Sequence, residues 1–89
     1  MKKDVGKVLL PKDGTVLLYY VIGSMEGWFG VQIIQCHGDQ ILQNAARSHL
    51  TKDWKSARNF AHSLARGVVF PDSLNEVCDD YEYELLCGS

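Results

Sequence analysis

Apolar residues in the first half of the chain come in blocks of strand length, and in the second half they recur at helical spacing. The densest block lies in the run TVLLYYVI, where Val16–Ile22 are seven apolar or aromatic residues in succession. Successive side chains of a strand point to opposite faces. Val16, Leu18, Tyr20 and Ile22 therefore share one side, and Leu17, Tyr19 and Val21 the other. A strand with one wet face alternates, and this one does not.

Around it the punctuation of a meander is visible. Lys7–Leu10, the turn PKDG and Thr15–Ile22 form a β-hairpin, with Pro11 presetting φ and Gly14 supplying the left-handed residue. GSMEG at Gly23–Gly27 makes a second turn, WFGVQIIQCH a third strand, and HGD a third turn. QILQNAAR, Gln40–Arg47, alternates weakly and reads as a poorer strand at an edge. The period then changes to 3.6. Thr51 reads as an N-cap, Asp53 lies in a first turn, and Trp54, Ala57, Ala61, Leu64, Ala65 and Val68 fall on one face of a helix that ends near Gly67. Pro71 opens a second helix with Leu74, Val77, Cys78, Tyr81 and Leu85 on its apolar side and Glu76, Asp79, Asp80, Glu82 and Glu84 elsewhere.

The expected architecture is a single α+β domain over residues 1–89: an antiparallel β-meander of three to four strands, then two helices packed on one sheet face. Two helices cannot cover both faces. The third strand adds Ile34 and Cys36 to one side and Phe29, Val31 and Ile33 to the other, so the uncovered side spans at least two strands. Burying one such side chain is worth about 1.5 to 3 kcal/mol, and a few of them rival the stability of a domain this small. Candidate covers are the N-terminal segment, a folded-back loop, a second copy or another protein. Val16, Leu18, Tyr20, Ile22 and Ile34 are the candidate partner-binding residues, and a two-fold homodimer is the simplest expectation.

Charge adds a second candidate. The net charge of −2 divides into +4 over residues 1–69 and −6 over residues 70–89, where six acids meet no base. The acidic second helix is expected on or near the basic body. On the first helix, spanning about residues 52–66, Lys55, Arg58, Asn59, His62 and Arg66 form a stripe opposite the apolar face. That stripe is the alternative site, for nucleic acid or an acidic partner. No aromatic residue interleaves it and the sequence pI is 5.8, so nucleic acid is disfavoured.

Catalytic and metal chemistry find little support. Cys36 and His37 are neighbours on a strand and point apart, and His37 with Asp39 reads as turn chemistry. Cys36, Cys78, Cys87, His37, His49 and His62 show no metal-ligand spacing, and no phosphate-cradling glycine motif occurs. The expectation is a non-enzymatic interaction or regulatory module with no cofactor, no metal and no small-molecule substrate. Three unpaired-looking cysteines, an N-terminal apolar run too short for an export signal and the lack of any membrane-length apolar run point to a cytoplasmic, non-membrane protein.

Tyr19 and Tyr20, the run Phe29-Gly30-Val31-Gln32-Ile33, Thr51-Lys52-Asp53, and the pattern Val69-Phe70-Pro71-Asp72-Ser73-Leu74 with Val77 and Asp80-Tyr81 resemble a family of short bacterial proteins. That family is a domain of unknown function found mainly in Gram-positive anaerobes. The resemblance runs from about Thr15 to Tyr81. Phe29, where a tyrosine is more usual, and the longer tail after Tyr81 depart from it. It implies a cytoplasmic bacterial protein and assigns no activity, substrate or site.

Overall fold

A computed structural model describes the backbone of residues 1–87 and the side chains of residues 1–83; the expected roles of Glu84, Leu85 and Cys87 lie outside the described side chains. The chain runs β1 (Lys2–Leu10), β2 (Thr15–Gly23), β3 (Phe29–His37), β4 (Gln40–Thr51) and α1 (Trp54–Arg66), then a 3-10 turn at Pro71–Ser73 and α2 (Leu74–Cys87). The strands form one antiparallel sheet in the order β1-β2-β3-β4, and the two helices follow it, an α+β meander. The described residues measure 40 × 27 × 17 Å, and the smallest extent admits a sheet and one helix layer about 10 Å away but no third layer.

Alternation in β2 decides which side the helices take. Thr15, Leu17, Tyr19 and Val21 are buried, whereas Val16, Leu18, Tyr20 and Ile22 are half-buried. Leu17, Tyr19 and Val21 join Val31 and Ile33 of β3, Ala57, Ala61 and Leu64 of α1, and Leu74 and Cys78 of α2 in one core. Alanines let α1 approach closely: a Cβ placed on Gly6 would lie 3.1 Å from Cβ of Ala65. An alanine at position 6 would require α1 to give by a few tenths of an ångström.

Three boundaries differ from the sequence reading. β1 begins at Lys2 rather than Lys7, because β2 is long enough to pair Lys2 with Ile22. β4 continues to Thr51, so the N-cap of α1 is Asp53 and not Thr51. The Asp53 carboxylate accepts from the Ser56 hydroxyl at 2.6 Å and from the Ser56 backbone N–H at 3.0 Å, which together hold its pKa below the usual value, and Thr51 Oγ1 accepts from the Asp53 N–H. The helical segment accordingly starts at Trp54, not near residue 52. At the other end, Val68 lies beyond the helix rather than on its apolar stripe.

The exit from α1 is a Schellman turn with Gly67 as the C-cap and Val68 in the position after it. Val68 N–H donates to the Ala65 carbonyl and Val69 N–H to the Leu64 carbonyl. This motif requires a left-handed residue, and the residue there is Val68 at φ 52°, while Gly67 is right-handed at φ −84°. A β-branched residue is strained in that region. What holds the turn is its neighbour: the buried Tyr19 hydroxyl donates to the Val69 carbonyl at 3.0 Å, tying the centre of the sheet to the link between the helices.

Two outcomes follow for stability. Val68→Gly removes the left-handed strain, net of the added chain freedom, and is expected to raise the unfolding free energy by up to about 1 kcal/mol in urea titrations. Tyr19→Phe strips the Val69 carbonyl of its donor and is expected to cost about 1 kcal/mol at pH 7. Burial pushes the Tyr19 hydroxyl up to about 12 and the Cys78 thiol up to about 11. Both groups are neutral when folded and ionise earlier when unfolded, so their contribution is complete below pH 9 and is lost as pH rises toward 12. Titrations repeated up that range should show a shallower alkaline decline for Tyr19→Phe than for the wild type, with the Cys78 share persisting.

Candidate association surface

The sheet face away from the helices is built in rows by strand register. Leu9 pairs with Val16, Val16 with Cys36 and Cys36 with Ile41, giving one apolar row across all four strands. The next row reads Lys7, Leu18, Ile34 and Asn44, and the one after it Asp4, Tyr20, Gln32 and Ala46. The apolar character is thus concentrated at the end bearing the 11–14 and 38–39 turns, and it fades toward the other end.

The five sequence candidates Val16, Leu18, Tyr20, Ile22 and Ile34 all lie on this face, but they are not equivalent. Val16, Leu18 and Ile34 sit in the apolar rows. Tyr20 carries the Lys2 ammonium 4.3 Å from its ring centroid, and Ile22 stands opposite Lys2 itself. Beside them Gln32 Nε2 donates to Asn44 Oδ1 at 2.9 Å. Two stronger members went unnoticed in the sequence: Leu9, 63% exposed, and Ile41, 61% exposed. Leu9 was readable from the hairpin register. Ile41 was not, because an irregularity between Gln35 and Cys36 shifts β4 by one residue and turns Ile41 onto this face.

The N-terminal segment does not cover the surface, since it is β1 and lies in the plane of the sheet. Both helices lie on the opposite side, against Leu17, Tyr19, Val21, Val31 and Ile33.

The alternative site takes the shape its spacing implied. Lys55, Arg58, Asn59, His62 and Arg66 are all exposed on α1, and none of them makes an ion pair among the described residues. Between α1 and α2 runs an open groove of about 530 Å³ lined by Ser56, Asn59, Phe60, Ser63, Val77, Asp80 and Tyr81, with the Phe60 and Tyr81 rings stacked at 4.2 Å. The acidic helix meets the basic body at one residue the sequence did not single out. Arg47 of β4 contacts Asp79 at 2.9 Å, Glu82 at 3.2 Å and Asn75 at 3.3 Å, clamping α2 over the sheet edge, and the carboxylates hold its pKa above the usual value.

Cys36 lies in the apolar row with its thiol 3.8 Å from the Val16 carbonyl, while His37 is exposed at the following turn. Cys78 is buried, and its raised pKa keeps it a thiol. Among the described residues no group of three or more His, Cys, Asp or Glu side chains is placed to hold a metal ion. No described helix is long and apolar enough to cross a membrane. The chain matches no protein-family model, no curated protein and no solved structure.

Proposed function

We propose that this protein is a small non-enzymatic association module, and that two copies pack their bare sheet faces together about a two-fold axis. The observation that carries this reading is the unbroken row Leu9, Val16, Cys36 and Ile41, backed by Leu18 and Ile34, on a face that neither helix approaches. An isologous contact suits such a row, because the same patch serves both partners.

Area sets the strength. Four strands at about 4.8 Å spacing and nine residues rising about 3.4 Å each present a face of roughly 19 by 31 Å, so two faces together remove at most about 1,200 Å². That lies near the lower bound for a specific interface, about 1,000 Å², and supports a reversible dimer of micromolar strength rather than an obligate one. A homodimer working in the cytoplasm, with no cofactor and no catalytic role, is the coherent form of this proposal. The resemblance to the bacterial family, also a proposal, agrees with it and adds no activity.

Sedimentation equilibrium tests the reading. The wild-type chain is expected to shift from monomer to dimer mass across the micromolar range. The double variant Leu9→Glu, Ile41→Glu is expected to stay monomeric while keeping its far-ultraviolet circular dichroism, since exposed substitutions change folding by only about 0.5 kcal/mol each. A wild-type monomer at high micromolar concentration contradicts the proposal, and so does a double variant that dimerises like the wild type.

A further inference from the structure

At the end of the sheet opposite the apolar row, three lysines from different places in the chain each sit over an aromatic ring. Lys2 Nζ is 4.3 Å from the Tyr20 centroid, Lys3 Nζ is 5.7 Å from that of Trp54, and Lys52 Nζ is 5.2 Å from that of Trp28. All three lie within about 6 Å of the ring centroid, the reach of a cation–π contact, and all three are at one end of the sheet.

The acids of the same end make contacts other than to these lysines. Asp53 caps α1 through Ser56, Asp4 Oδ1 accepts from the Gly6 N–H, and Glu26 faces His49 at 3.9 Å. Among the described residues none of the three lysines lies within ion-pair distance of a carboxylate. Their partners are rings, which leave the charge unneutralised.

His49 adopts φ 60° in the bulge of β4 between the Val31–Arg47 and Phe29–Thr51 pairs, and its ring lies 5.8 Å from that of Trp28 at a 42° tilt. A hollow of about 80 Å³ adjoins the pair, lined by Ile22, Gly23, Ser24, Gly30 and Ser48 with Trp28 and His49, and so offers hydroxyls and backbone beside an aromatic wall. Lys55 and Arg58, exposed on α1, continue the positive track beyond Lys52.

We propose that this end of the sheet binds single-stranded nucleic acid, with an unpaired base stacking on Trp28 and the flanking phosphates neutralised by Lys2 and Lys52, then by Lys55 and Arg58. Aromatic faces beside mobile cations are the chemistry that takes unstacked bases without reading their sequence. A duplex keeps its bases stacked away from such a face. The aromatic component missing from the α1 stripe in the sequence is supplied by the chain entering β3, which the fold brings beside Lys52.

Fluorescence anisotropy of the full-length chain with labelled twelve-nucleotide oligothymidylate and oligouridylate tests the assignment. Binding is expected to weaken as salt rises. Trp28→Ala is expected to lower affinity about five- to a hundredfold with the salt slope retained, and Trp28→Phe to preserve most of the binding, which separates lost stacking from lost folding. Lys52→Gln is expected to reduce the magnitude of the log–log salt slope by about 0.7, one phosphate contact on a single strand. Three results would overturn the proposal: no binding of either oligonucleotide at low salt, equal competition by a duplex of the same length, or Trp28→Ala binding like the wild type.

Discussion

A β-strand sends half of every apolar run to each side of its sheet, and this chain places both helices on one side. The rest of the molecule follows from that constraint. Leu17, Tyr19 and Val21 are sealed beneath Ala57, Ala61 and Leu64, while Val16 and Leu18, equally apolar and one residue away, have only their neighbours within the sheet. The core needs the first set. Nothing within the described residues uses the second, and the two sets cannot be exchanged without slipping the register of every strand.

Tyr19 joins the two halves of the fold. It buries a large ring at the centre of β2 and sends its hydroxyl to Val69, the residue that leaves the left-handed turn after α1. That one bond fixes where the second helix begins. Arg47 fixes where it lies, by drawing Asp79 and Glu82 to the β4 edge. Because Asp79 is largely solvent-exposed, the role of this contact is better understood as orientation than as a large share of stability.

The meander and the two helices were legible in the sequence because period and punctuation agreed: Pro11 with Gly14, the turns near Gly27 and Gly38, and the change from period two to 3.6 before Trp54. The division of β2 into two sides was legible for the same reason, and with it the grouping of Val16, Leu18, Tyr20, Ile22 and Ile34, but not which of the two sides the helices cover. What escaped depended on pairing between distant segments. The start of β1 is set by the length of β2, the helix cap by how far β4 runs, and the outward turn of Ile41 by an irregular step in register. The lysine and aromatic pairs join residues 2 and 3 to 20 and 54, and 52 to 28, separations that no local pattern reports. Val68 shows the opposite lesson. Gly67 is the residue local chemistry would choose for the left-handed position, and the tertiary bond to Tyr19 places the turn one residue later.

The two surfaces occupy opposite ends of the sheet and differ in chemistry, one aliphatic and uncharged, the other aromatic and cationic. Cys36 lies inside the aliphatic row and reports directly on whether that row is covered. In a Cys87→Ser background, with Cys78 buried, the rate of Cys36 alkylation by a maleimide should fall as protein concentration rises through the micromolar range. A rate that stays constant with concentration would contradict the account.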